Sequence, residues 1–145
     1  MNEEIIDPAR KIKLEMLSAV IQDNKNNEQH LPATNKLEKL DLFVKSLLNK
    51  DLQERLLSEN ILDVVRKWLE PLPDNSLPNI KIKRGLLEVL KILRINKYLI
   101  IDSKIGEIVH FYMKNPKECK EIKNIMHIIY YNVIEHINKY MNEDM

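Results

Sequence analysis

Glycine and cysteine are both scarce in this 145-residue sequence, which contains two glycines and one cysteine. Few glycines argue against the many tight turns that a multi-stranded sheet requires. The single Cys119 excludes an internal disulfide and a zinc cluster of several thiolates, and so indicates a reducing compartment. Hydrophobic residues make up 44% of the chain. This composition predicts one folded helical domain over residues 1–145.

Long apolar runs are also missing, since a stretch such as Tyr98 to Ile101 is far shorter than the roughly 20 residues of a membrane-spanning helix. We therefore expect no membrane insertion. The 23 basic and 22 acidic residues give a net charge of +1, so no overall field favours a polyanionic partner.

One segment of the chain is basic, because between residues 81 and 97 six basic side chains accompany a single acid, Glu88. The basic residues are Lys81, Lys83, Arg84, Lys91, Arg94 and Lys97. Phosphate binding by this segment is an alternative function. A solvated helix face explains the same pattern and is favoured, because no aromatic residue for base stacking is interleaved before Tyr98.

Catalytic and metal-binding patterns are absent from the sequence. There is no glycine-rich phosphate loop, and the four histidines lack the i, i+4 pairing typical of helical zinc sites. Cys119 has no evident histidine partner in the sequence. The sequence thus predicts a protein without enzymatic activity, metal or cofactor.

Apolar residues recur at helical spacing along most of the chain, which predicts an all-α fold. We expect helices over about 8–22, 33–50, 79–93 and 103–114, and a last helix from Asn115 onward. Between them we expect a short helix capped by Asp51 and a further helix that carries Ile61 to Leu69. The polar stretch 23–30 is predicted as a flexible connection and the proline-rich segment 71–78 as a rigid loop. Such short helices can bury their apolar faces only against one another, in a compact right-handed bundle with HEAT- or armadillo-like stacking.

The proline-rich segment also carries a resemblance to a known family. Residues 68–82, with the sequence WLEPLPDNSLPNIKI, closely resemble the signature of the Spn-one, or interacts-with-Spt-six, transcription elongation factors, whose core belongs to the TFIIS N-terminal domain family. Shorter matches in register lie at Pro32-Ala33, Lys36-Leu37, Lys50 to Leu52 and Lys114 to Glu118. The resemblance covers about residues 31–126, and the helix at 8–22 is an addition to it. The chain departs from the family at 103–107 and at 133–136.

This resemblance implies a TFIIS N-terminal domain-like bundle in the nucleus. It implies binding to an amino-terminal segment of the histone chaperone Spt-six and association with the RNA polymerase II elongation complex. In such families an acidic segment of the partner inserts aromatic residues between helices, while basic side chains at the rim attract it. A scaffold that contacts only folded domains remains a further alternative.

The resemblance also carries over eight candidate partner-binding residues. They are Lys36, Leu40, Trp68, Leu93, Ile95, Phe111, Tyr112 and Lys114. Lys36 is expected at the rim, and Leu93 with Ile95 in an interhelical loop. Phe111 and Tyr112 occupy aromatic positions of one helix. Core packing is the competing interpretation for Phe111 and the favoured one for Trp68.

Overall fold

The computed structural model describes residues 7–93, 95 and 97–143, without the side chains of 97, 133, 134 and 136–143. Every regular element in this part of the chain is an α-helix, which confirms the predicted all-helical class. The helices are α1 Pro8–Glu28, α2 Asn35–Leu48, α3 Lys50–Ser58, α4 Ile61–Leu69, α5 Ile80–Ile92, α6 Lys97–Ser103, α7 Ile105–Lys114 and α8 Lys120–Glu143.

Polar side chains fix the starts of several helices. The Asp7 carboxylate accepts the Ala9 amide at 3.0 Å, and Pro8 occupies the first helical turn of α1. The Asn79 side chain caps α5 in the same way. The prediction that Asp51 caps α3 is wrong, because the Asn49 side chain accepts the Asp51 amide at 2.9 Å.

The helices stack as three pairs that are consecutive or nearly so in the chain, α1 with α2, α4 with α5, and α7 with α8. One layer follows the order α1, α4, α7, and a second follows α2, α5, α8. The short helices α3 and α6 pack beside α4 between successive pairs. The two layers enclose one apolar core, and each fully buried side chain of leucine size stabilises the fold by about 1.5–3 kcal/mol. This arrangement agrees with the predicted stacking of helix pairs.

Helix α1 is longer than predicted, since it runs to Glu28 rather than to residue 22. The last turns of α1 are polar. Hydrogen bonds to other segments hold them in place, instead of the burial of apolar side chains. Asp23 is fully buried and accepts the backbone amides of Asn35 and Lys36 at 2.8 and 3.0 Å. Asn27 accepts the Asp74 amide at 3.0 Å. The expected flexible connection is therefore helical up to Glu28.

Helix α6 was also not predicted, and the helix expected at 103–114 divides in two. Ser103 ends α6, Lys104 adopts a left-handed backbone with φ 60°, and Ile105 begins α7. A lysine with positive φ cannot continue a helix, so the chain changes direction at this residue. The last helix begins at Lys120 instead of Asn115.

The segment 71–78 connects α4 to α5 and is held by several hydrogen bonds. The Leu72 amide donates to the Ser76 carbonyl and the Asn75 amide to the Leu72 carbonyl, each at 2.8 Å. Asp74 accepts the Ser76 amide at 2.9 Å, and Pro78 is buried. These contacts define one loop conformation beside the end of α1.

Replacing both Pro71 and Pro73 with glycine is expected to lower the free energy of unfolding by about 1–2 kcal/mol. Glycine enlarges the set of conformations open to the unfolded chain, and the folded loop gains nothing in return. Urea denaturation followed by circular dichroism measures the difference. A midpoint equal to that of the parent protein would show that the prolines do not restrain this loop.

Candidate protein-interaction site

The carboxyl end of α4 is the point where several predicted site residues meet. The last carbonyls of a helix have no partner within the helix, so other groups must satisfy them. The Lys36 ammonium donates to the Trp68 carbonyl at 3.4 Å, and the Tyr112 hydroxyl donates to the Leu69 carbonyl at 2.5 Å. Side chains from α2 and α7 thus cap α4 and fix its end between them.

The expectation that Lys36 lies on an exposed rim is wrong, because its exposed fraction is 3%. Burial lowers the pKa of Lys36, while the carboxylates of Asp23 and Glu70 oppose this change. A buried ammonium at a helix carboxyl end is stabilised by the carbonyl dipoles it faces. Lys36 therefore caps the carboxyl end of α4 from inside the bundle.

Asp23 replaces the usual cap of α2, because the Thr34 side chain makes no capping hydrogen bond. The Asp23 carboxylate accepts three hydrogen bonds, two from Asn35 and one from the Lys36 amide. A cap supplied by a different helix ties α1 to the start of α2, next to the Lys36 contact with α4.

Substituting Asp23 with alanine is expected to lower the free energy of unfolding by about 1–3 kcal/mol, since buried amides of α2 lose their acceptor. Asp23→Asn should recover part of the loss because its side-chain oxygen still accepts. Thermal denaturation of both variants provides the comparison. Equal midpoints for Asp23→Ala and the parent would contradict this capping role.

Trp68 lies entirely in the core, with an exposed fraction of 0%. Its ring packs edge-on against Phe43, with centroids 4.8 Å apart and an interplanar angle of 66°. Its indole N–H donates to the Met16 carbonyl of α1 at 2.9 Å. The favoured interpretation of Trp68 as a core residue is confirmed by this burial.

Phe111 and Tyr112 are adjacent on α7 but lie in different environments. Phe111 is 42% exposed, while Tyr112 is fully buried. Their rings meet edge to face with centroids 5.4 Å apart, so Tyr112 forms part of the support beneath Phe111. Burial, and secondarily the nearby Glu118 carboxylate, raise the pKa of Tyr112 well above its usual range. The hydroxyl therefore stays protonated and donates to α4.

A buried ion pair lies next to the Tyr112 ring. The Lys83 ammonium is 2.8 Å from Glu118 Oε1, with side chains only 10% and 3% exposed. The same ammonium is 5.8 Å from the centre of the Tyr112 ring. The sequence did not reveal this pair, because 35 positions separate its members and only the fold brings them together.

The other predicted residues fall into separate places. Lys114 is exposed one turn after Phe111 on α7, and Leu40 is half-buried in α2 where this helix approaches Gly85 of α5. Leu93 is buried and Ile95 half-buried after the end of α5. These two residues follow the carboxyl end of the 13-residue helix α5, which is about 20 Å long, whereas Lys83 near its start contacts the Tyr112 ring.

The chain resembles known proteins along most of its length. Residues 85–128 match the Med26 family model, described as a TFIIS helical bundle-like domain. A crystal structure of a Spt6-Iws1(Spn1) complex from Encephalitozoon cuniculi contains a chain of 43% identity and TM-score 0.87, and the match covers 89% of this chain and 94% of that one.

The chain belongs to the Iws1 family. The transcription factor iws1 of Schizosaccharomyces pombe is 41% identical over 119 residues, and that of Yarrowia lipolytica is 39% identical over 126 residues. These matches cover 82% and 86% of this chain but only 28% and 30% of the relatives. The chain therefore spans less than a third of the length of these curated Iws1 proteins. The predicted Spn-one resemblance and its TFIIS-like fold are confirmed.

Three of the four described basic residues in segment 81–97 of this Iws1-family chain are paired with acids, and the exposed Lys81 forms no ion pair among the described contacts. Lys83 pairs with Glu118 inside the protein, Arg84 pairs with Glu121 at 2.8 Å, and Lys91 pairs with Glu88 at 3.0 Å. The side chains of residues 94 and 97 lie outside the described part of the chain. Paired charges release fewer counterions from a nucleic acid, so this arrangement counts against the alternative of phosphate binding.

The described residues form neither a metal site nor a membrane-spanning helix. Over the residues that the structure describes, no three histidine, cysteine, aspartate or glutamate side chains are grouped to hold a metal ion. In the same part of the Iws1-family chain, no helix combines the length and apolar character that crossing a membrane requires.

Proposed function

We propose that this chain is a non-enzymatic binding module that holds a short acidic and aromatic segment of the chaperone Spt6. The main support is that this chain is 43% identical to a chain from a Spt6-Iws1(Spn1) complex and covers 94% of that chain. The curated relatives are named transcription factors. We also propose that the protein acts in the nucleus and associates with RNA polymerase II.

The docking site that we propose centres on Phe111. Its partly exposed ring rests on the buried Tyr112 ring, so little side-chain freedom is lost when a partner covers it. Lys114 follows three positions later and therefore lies on the same side of α7. An apolar ring beside an exposed ammonium suits a segment in which aromatic and acidic residues alternate.

Calorimetry with a peptide from the amino-terminal region of Spt6 tests this function against its alternatives. We expect saturable binding of one peptide per chain that keeps most of its affinity as salt rises, because apolar burial dominates. A chain that binds nucleic acid would instead prefer an oligonucleotide and lose affinity steeply with salt. A scaffold for folded domains would bind neither isolated probe.

Changing Phe111 to alanine is expected to weaken peptide binding by about 2 kcal/mol or more, or roughly 30-fold, as for a central aromatic anchor. Leu42→Ala is the matched control, because Leu42 is 45% exposed but lies on α2 in the other layer. Both variants should remain folded, since neither residue is buried. Lys114→Glu should reduce affinity chiefly at low salt.

Equal affinities for Phe111→Ala and Leu42→Ala would remove Phe111 from the site while leaving peptide binding intact. The segment around Leu93 and Ile95 is then the alternative location, and Ile95→Ala tests it in the same assay. Lys36 and Trp68 are less suitable for such tests, because both are buried and their substitution disturbs the fold.

A further inference from the structure

Helix α1 carries apolar side chains on two opposite faces. Met16, Ala19 and Val20 are buried against the core. On the outside, Leu14 is 52% and Ile21 is 62% exposed. Large apolar side chains on the solvent side of a helix, rimmed by polar residues, mark a surface that a partner can cover.

The position of α1 in the stack strengthens this observation. It is the first helix of the layer α1, α4, α7, and within the described residues it packs on α2, α3 and α4. Leu14 and Ile21 lie two turns apart along the face directed away from these three helices, at the spacing that packs against another helix.

Basic residues flank this apolar pair. Lys11 and Lys25 are exposed one turn before Leu14 and one turn after Ile21, and neither forms an ion pair among the described contacts. The acid Glu15 points towards α2, where it pairs with Lys39 at 2.9 Å. Glu28 adds one negative charge at the far end of the helix. One positive charge therefore flanks the apolar pair at each end.

We propose that the outer face of α1, defined by Lys11, Leu14, Ser18, Ile21 and Lys25, docks an acidic amphipathic helix of a partner protein. The apolar stripe of that helix covers Leu14 and Ile21, and its carboxylates reach the two lysines. A second copy of this chain fits poorly. Antiparallel pairing about Ser18 brings Lys11 of one copy beside Lys25 of the other, and parallel pairing sets each lysine beside its equivalent.

A designed peptide about 20 residues long, long enough to form a helix, serves as the probe. It carries leucines at alternating three- and four-residue spacing with glutamates beside them, and a matched peptide has lysine in place of every glutamate. Nuclear magnetic resonance of the labelled full chain should show saturable shifts along α1 with the acidic peptide. The lysine peptide should bind at least about tenfold more weakly.

Two variants locate the contact. Leu14→Ser with Ile21→Ser should abolish binding without lowering thermal stability, because both side chains are exposed in the free protein. Lys11→Glu with Lys25→Glu should reverse the preference in favour of the lysine peptide. Absence of binding, shifts away from α1, or equal affinity for both peptides overturns the proposal. A dimer of the free chain that the Leu14 and Ile21 changes dissolve overturns it as well.

Discussion

Replacing Lys83 with alanine is expected to lower the free energy of unfolding by about 3–5 kcal/mol, because Glu118 is left charged and unpaired inside the protein. The Glu118 side chain is only 3% exposed, and within the described residues its Oε2 atom has no hydrogen-bond partner. Lys83 is thus the counter-charge that the carboxylate contacts. A loss of this size is a large part of the 5–15 kcal/mol that stabilises a typical domain.

Arg84 supplies the matched control for this prediction. It follows Lys83 directly and pairs with Glu121, but the two side chains are 46% and 53% exposed. Solvent screens such a pair, so Arg84→Ala should cost at most about 1 kcal/mol. Urea denaturation compares the two variants. Similar losses would show that Lys83 and Glu118 are not shielded from water.

The double variant Lys83→Met with Glu118→Leu separates charge from volume. Apolar residues of similar size remove both buried charges, so stability should return close to that of the parent protein. If the double variant is as unstable as Lys83→Ala, packing at this position matters more than the ion pair. The Tyr112 ring contact with the Lys83 ammonium is then the interaction to reconsider.

Changing Trp68 to alanine is the second substitution with a large expected effect, a loss of about 3–5 kcal/mol. The change leaves a cavity beside Phe43 and removes the indole hydrogen bond to the Met16 carbonyl, which joins α4 to α1. Trp68→Phe should lose less, because it keeps an aromatic ring against Phe43. Thermal and urea denaturation both report the difference.

Tyr131 serves as the surface control for Trp68, since it is 75% exposed on α8. Its replacement by alanine should change stability by no more than about 0.5 kcal/mol. A stable, fully folded Trp68→Ala protein would contradict the core position of this residue. Any loss of partner binding in that variant must be separated from unfolding by measuring both at the same temperature.

Helical periodicity predicted most of the fold because apolar spacing reports which face of a helix is buried. It failed where polar residues hold a helix through distant contacts. Residues 23–28 contain no apolar side chain, and their helix is fixed by the bonds that Asp23 and Asn27 make to other segments. Nothing local distinguishes such residues from a loop.

The candidate site was predicted less well, for a related reason. Adjacent residues on a helix point about 100° apart, and only the packing of α7 decides that Tyr112 enters the core while Phe111 remains partly exposed. Lysine is usually a surface residue, so the sequence favoured exposure of Lys36 and gave no sign of the pair between Lys83 and Glu118. Each of these buried lysines is paired with a group more than 30 positions away, the Trp68 carbonyl for Lys36 and Glu118 for Lys83.

The most direct test of the proposed function is to titrate the Spt6 amino-terminal peptide into the isotopically labelled full chain and map the amide shifts. We expect saturable shifts centred on Phe111 and Lys114, extending to the carboxyl end of α4, with the outer face of α1 unaffected. A peptide that causes no saturable shifts, or shifts confined to the segment around Leu93 and Ile95, would contradict a Spt6 docking site at Phe111.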